Sequence, residues 1–286
     1  MSHVRRDVRR MGDAMKNVLI VALAVAVSAA SVLADVTVTQ TMTMEGQAAA
    51  MMQGMQLPKV TMRIKGRKSR SDVEMNGQTV SSIADLDAGQ VIILNGATKT
   101  ATITTPASVA AGGEPVPVPK IDISLKPTGK SQPIEGHTCD EHAFTMSIAM
   151  GEMMGQGQVP PEAAAALADV RMVMAGSFWI AKSAPGASEF AAFNKAAAES
   201  KLLAAVAGGM PGMANGMDKV MEAAASAPGL PYLTEMTMTF EGSGPMVDAM
   251  QQMGPMKIVQ KIASVSTESL SDDLFKIPEG YTVEKK

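Results

Sequence analysis

Apolar and polar residues alternate with period two from residue 35 onward. In DVTVTQTMTM (35–44), Val36, Val38, Met42 and Met44 share one face, and Thr37, Thr39, Thr41 and Thr43 share the other. That is the pattern of a half-buried strand. It recurs at 59–66, where Val60, Met62 and Ile64 oppose Lys59, Thr61, Arg63 and Lys65. After a Gly-Arg-Lys corner it continues at 68–75, with Val73 and Met75 inward and Arg70, Asp72 and Glu74 outward. Asn76-Gly77 then predicts a two-residue hairpin turn. Further strands are predicted at 79–86, 90–94 and 98–104, separated by Asp87-Ala88-Gly89 and Asn95-Gly96. The first third of this region therefore reads as an antiparallel meander.

Residues 105–119 have no periodicity and four prolines, and predict a surface connection. Strand patterns resume at 121–126, 138–150 and 169–182, the last two flanking a Gly/Met/Pro-rich loop at 151–168. Helical periodicity is strongest at 187–207, where Phe190, Phe193, Ala197, Leu202 and Val206 fall near one face before Gly208-Gly209. A second helix is predicted at 215–227, stopped by Pro228-Gly229. Strands return at 232–241 and 257–267 around a flexible, partly helical segment, 242–256. About ten antiparallel strands with two or three helices inserted late define an α+β class. So many strands must curl, so the expected architecture is a curved antiparallel sheet forming an unclosed half-barrel, its concave face covered by the helices.

Aligning the strand phases places Met42, Met44, Met62, Met75, Phe144, Met146, Met172, Met174, Met236, Met238 and Phe240 on the apolar face. A face of this kind is either plain core beneath the helices or a core that opens into a hydrophobic cleft. Cores that only specify packing favour Leu, Ile, Val and Phe over Met. Flexible, polarizable Met side chains suit a surface that adapts to variable partners. The sequence holds 26 Met but only nine aromatic residues.

Residues 18–34, VLIVALAVAVSAASVLA, follow Arg5, Arg6, Arg9, Arg10 and Lys16 and close on Val32, Leu33 and Ala34. This is the order of a secretory signal peptide, with cleavage expected after Ala34. An uncleaved anchor is the alternative, opposed by the many Ala and the immediate switch to Thr/Val alternation. Met15 is a candidate true start, which would leave 1–14 upstream of the protein. The two Arg pairs lack the hydrophobic pair that usually follows in twin-arginine signals, and no Cys stands at the junction to carry a lipid. Residues 35–286 are thus expected to form one domain, periplasmic or secreted and not integral to the membrane after cleavage.

Without residues 1–34, 20 Lys and Arg face 26 Asp and Glu, a net charge near −6. That balance favours solubility and speaks against nucleic acid or an anionic membrane as the main partner. Cys139 stands alone, so no internal disulfide supports the fold.

His137, Cys139 and His142 bring the His and Cys of this domain into six positions, and imidazole with thiolate can hold zinc or copper. On a strand, however, His137 and Cys139 share one face and His142 takes the other, so all three meet only across a bulge. Structural roles are therefore expected, with metal as the alternative. Met-x-Met pairs (Met42/Met44, Met172/Met174, Met236/Met238) and the run Met246, Met250, Met253, Met256 also resemble thioether sites for Cu(I). No GxSxG, HExxH or phosphate-cradling Gly loop is present, so neither catalysis nor a cofactor is expected. Asp272-Asp273 reads as a solvated turn before a C-terminal anchor.

Several segments resemble an exported bacterial family of unknown function, itself similar in fold to the lipoprotein carrier LolA. They are RIKGRKSR (63–70), IADLDAGQVIILN (83–95), PTGKSQPIEGHTCDEHAF (127–144), FWIAKSAPG (178–186), GLPYLTEM (229–236) and SLSDDLFKIPEGY (269–281). The resemblance implies a LolA-like half-barrel wrapped around helices, with a hydrophobic cavity for acyl chains or other apolar cargo. It supplies no catalytic residues. It places a Cys at Cys139, with aromatic residues often standing where this chain has His137 and His142. The combined expectation is a soluble, monomeric, non-enzymatic binding protein whose partner is a hydrophobic small molecule, a lipid or an acylated protein. A Met-rich copper-binding protein is the alternative.

Overall fold

A computed structural model of the chain describes residues 34–46, 57–111, 121–150, 167, 169–200, 202, 222–223, 225–252 and 254–285. The expected signal segment (apart from Ala34), the loop 151–166, most of the second expected helix, Val206 and Met253 lie outside these residues, as does the side chain of Met246.

The period-two segments all form strands: β1 (Val36–Glu45), β2 (Lys59–Lys65), β3 (Lys68–Met75), β4 (Gln78–Asp85), β5 (Gln90–Asn95) and β6 (Thr100–Thr104). After them come β7 (Ile121–Ile134), β8 (His137–Ala149), β9 (Arg171–Ala181), β10 (Leu230–Glu241), β11 (Met256–Ser266) and β12 (Thr282–Lys285). Asn76 and Gly77 both have positive φ, 51° and 74°, as the type I′ turn between β3 and β4 requires. Three α-helices lie among the described residues: α1 (Pro106–Ala111), α2 (Ala187–Ser200) and α3 (Pro245–Gln252). A 3₁₀ turn covers Asp272–Phe275. Residues 222–223 and 225–226 are also helical, inside the second expected helix.

The strands form one sheet in the order β12-β6-β5-β4-β3-β2-β1-β11-β10-β9-β8-β7. Every described pairing is antiparallel except β12 with β6, which is parallel. The edge strands β12 and β7 do not pair with each other, so the sheet is unclosed. The protein is thus a mostly-sheet α+β fold with few helices, as its alternation predicts.

Three features depart from expectation. The proline-rich connection opens with the short helix α1. β7 runs on to Ile134 through Pro127 and Pro133, which an edge strand tolerates because its outer N–H groups have no ladder partner. And β12 adds a strand with no alternation to betray it, all four of its residues exposed.

Both faces of the sheet carry core. On one, Val36, Val38, Ile64, Ala84 and Val91 pack into a cluster with Phe193, Ala197 and Leu202. α2 forms there because its Ala-rich sequence favours helix and Phe193 and Ala197, one turn apart, are both buried. Glu189 in its first turn suits the helix dipole and accepts the Ala34 N–H at 3.2 Å. On the opposite face Ile83, Ile92, Leu94 and Ala101 pack with Phe275 from the C-terminal segment. The register makes this unavoidable: Ala84 opposes Val91 while Ile83 opposes Ile92, so successive residues serve different cores. Fully burying each large side chain stabilises by about 1.5–3 kcal/mol.

A polar cluster seats that C-terminal segment. Asp72, buried, is ion-paired with Arg63 and with Arg70, the latter at 2.8 Å. Arg70 also donates to the Leu274 carbonyl at 3.0 Å. Lys65 donates to the Leu270 carbonyl at 2.6 Å and pairs with Asp272 at 2.8 Å. Asp35 accepts the Leu270 N–H at 2.6 Å. Asp272-Asp273 is therefore a capped 3₁₀ turn, tied to the sheet through Lys65, rather than a free solvated one.

Candidate ligand-binding site

The strands β7 to β11 are consecutive in the sheet, and their registers carry one face across all of them: Leu125 opposes Phe144, Phe144 opposes Gly176, Gly176 opposes Met236 and Met236 opposes Ile258. Above this face sit α2 and residues 222–223 and 225–229, and between the layers lies a cavity of about 320 Å³. Its sheet side is apolar: Ile123 and Leu125 of β7, Phe144 and Met146 of β8, Phe178 and Ile180 of β9, Pro231 and Met236 of β10. Phe190 and Ala191 face it from α2, and Ala223, Ala225 and Ala227 from the segment that follows. The Phe144 and Phe178 rings stack at a tilt, centroids 4.6 Å apart.

Of the lining expected from sequence, Phe144, Met146 and Met236 line this cavity. Met172, Met174 and Met238 sit beside it, in a cluster with Phe144, Ile148, Met146 and Met236. Phe240 packs further along, with Met172 against Met150, Val170 and Val247. Met62 packs onto the core around Val36. Met42 and Met44 are half-buried opposite Gln260 and Ile258 of β11. Met75 shares their face of the sheet but lies at the far end of β3, 46% exposed.

Three polar side chains also line the cavity: Asn194 of α2, Thr234 of β10 and Gln260 of β11. Thr234 and Gln260 are direct cross-strand neighbours. Gln260 donates from Nε2 to Oε1 of Gln40 at 2.7 Å. Sequence reasoning missed these groups, although Gln40 interrupts the apolar phase of β1 between Val38 and Met42. A shallower groove of about 440 Å³ adjoins the cavity at Ile123 and Ala223, and carries the carboxylates of Asp122 and Glu222. Asp122 is partly compensated by Arg171 at 3.2 Å.

His137, Cys139 and His142 are not brought together. Cys139 is fully buried in the larger core, where its thiol donates to the His137 carbonyl at 3.5 Å. Burial pushes that thiol above its ordinary range, with the nearby Asp140 charge adding to the effect; a thiol so placed is protonated and inert. His137 stacks on Tyr232, ring centroids 4.9 Å apart, at a separate groove of about 380 Å³ with Glu135 and Ser264. His142 is buried among the residues opposite Phe178, its Nδ1 hydrogen-bonded to the Asp140 carbonyl at 3.3 Å. Among the described residues no three His, Cys, Asp or Glu side chains converge on a metal position.

Fold and cavity together define a class: an α+β protein built on one large unclosed sheet, with an apolar pocket between sheet and helix. No helix among the described residues is long and apolar enough to cross a membrane. Neither a known family nor a curated protein matches the chain. Among solved structures, an uncharacterized conserved protein from Thermus thermophilus aligns over 89% of this chain and 91% of its own, at 8% identity and a TM-score of 0.35. A likeness of that order carries no argument about fold or function.

Proposed function

We propose that this is an exported, non-catalytic binding protein that holds a hydrophobic ligand, a lipid or the acyl group of a partner, in the cavity beneath α2. The sheet would then act as a LolA-like half-barrel with its helices on the concave side. The observation that carries the proposal is the cavity itself. At about 320 Å³ it lies at the lower end of the range of pockets that bind small molecules, and its sheet wall is built from apolar residues of four adjacent strands. Binding is driven by removal of apolar surface from water, so it favours shape and length over particular functional groups. The volume suits one chain better than several.

The uncharged dye N-phenyl-1-naphthylamine tests this directly, because its fluorescence rises on entering an apolar site. Saturable enhancement with the native protein, lost in Ala191→Trp, is expected. Absence of enhancement in the native protein contradicts ligand carriage.

Copper binding has one observation in its favour: Met146, Met172, Met174, Met236 and Met238 belong to a single contact cluster, and soft thioethers select Cu(I). Titration with Cu(I) under reducing conditions separates the two functions. Leu at positions 172, 174, 236 and 238 preserves apolar burial and dye binding but abolishes a thioether site.

A further inference from the structure

We infer that the cavity's ligand carries no negative charge: it is a single-chain amphiphile whose uncharged, hydrogen-bonding head, a hydroxyl, ester or amide, is held by Asn194, Thr234 and Gln260. The inference rests on the proposal that the cavity is a ligand site, and goes further by naming the class of ligand.

Two of the three polar groups are direct neighbours. Gln260 and Thr234 lie side by side on the β11–β10 end of the floor, and Asn194 faces the same cavity from α2. Ile123 and Leu125 of β7 mark the other end. Four strand spacings of about 4.8 Å separate β7 from β11, so the floor is about 19 Å across. One end is therefore polar and the rest apolar, the distribution of an amphiphile with one head and one tail.

The character of the polar end excludes a carboxylate or phosphate head. Two amides and one hydroxyl can donate and accept hydrogen bonds, but they offer no charge to offset a buried anion, whose transfer from water is costly unless paired. Among the described residues the lining holds no Lys, Arg or His. At the opposite end the adjoining groove presents Glu222 and Asp122, the latter paired with Arg171 at 3.2 Å, so the charge there is net negative. An uncharged head meets neither penalty, and Gln260 is held in place for it by the hydrogen bond to Gln40. Leaving such groups unpaired beside a plain hydrocarbon forfeits their hydrogen bonds, so an uncharged polar head is preferred over none.

The test is calorimetric titration of the purified protein with ten-carbon ligands that differ only in head group: decanol, 1-decanoylglycerol and decanoate, at neutral pH. The two uncharged ligands are expected to bind at least about tenfold more tightly than decanoate. Gln260→Leu combined with Asn194→Leu should weaken the uncharged ligands by about tenfold and so narrow their advantage over decanoate. A cooperative thermal transition by circular dichroism verifies that the double variant is folded, and undiminished decanol affinity in that folded variant overturns the assignment of the head site. If decanoate binds as tightly as decanol, the inference about charge is overturned while the cavity remains a ligand site. If neither the dye nor any ten-carbon ligand binds, the ligand site itself is overturned, and the inference falls with it.

Discussion

Asp72 concentrates much of the polar chemistry of the sheet in one buried carboxylate. Burial alone would raise its pKa, but hydrogen bonds from Ser81 and Arg70 and the charges of Arg70 and Arg63 outweigh it and hold the group below its ordinary 3.8. A carboxylate with a depressed pKa contributes stability that is present above the unfolded value and lost as pH falls through the folded one. Denaturant midpoints should therefore decline below about pH 4, and Asp72→Asn should lose that part of the decline. Removing one partner of a buried pair costs about 3–5 kcal/mol, so Asp72→Asn should be strongly destabilising at pH 7 by urea titration. Gly176 is a second constrained position: a Cβ there would collide with the backbone carbonyl of Glu235 on β10. Gly176→Ala should cost about 3 kcal/mol, as overpacking does, read as a lower Tm. Single residues were also where the sequence was most informative and most easily passed over. The polar residue Gln40 within an otherwise apolar strand phase marks the polar end of the cavity, through its bond to Gln260. The Met residues are legible as one face, but period two alone cannot say how far along a strand the cover extends, which is why Met75 lies exposed.

At the scale of elements, the C-terminal segment is a structural component of the sheet. Phe275 fills the core of the β4–β6 face, while Lys65, Arg70 and Asp35 bind the segment's backbone. Phe275→Ala should lower the unfolding free energy by about 3–5 kcal/mol. The same variant should leave dye binding unchanged in the folded protein, since Phe275 packs on the face opposite α2. Unfolding in urea followed by circular dichroism, with dye titration below the transition, checks both halves. The second core was written in the uninterrupted run Val91-Ile92-Ile93-Leu94, because a strand covered on both faces has no polar phase to show. Strict alternation was easier to see in β1 to β3, where one face is polar. β12 left no local signal: four exposed residues pair in parallel with β6, a contact between segments far apart in sequence that only the folded sheet creates.

At the scale of the molecule, an unclosed sheet of this width must cover its apolar surface by other means than closure. Here α2 lies over one face and residues 270–281 over part of the other. The cavity is the place where the cover of the first face is incomplete, between the sheet wall of β7 to β11 and the small residues of α2 and residues 223 and 225–229. Alternation alone fixed the α+β class and the antiparallel meander, whereas the cavity depends on how helix and sheet are spaced, which no strand phase records. Filling it should therefore be tolerated by the fold and fatal to binding. The central claim is that this space holds a hydrophobic ligand. Native mass spectrometry of the protein purified from the cell envelope, without detergent, tests it most directly. A bound mass of one apolar molecule per chain, present in the native protein and absent from Ala191→Trp, is the predicted result. A native protein that is consistently free of any such mass, and that takes up none when incubated with lipid extract, would contradict the account.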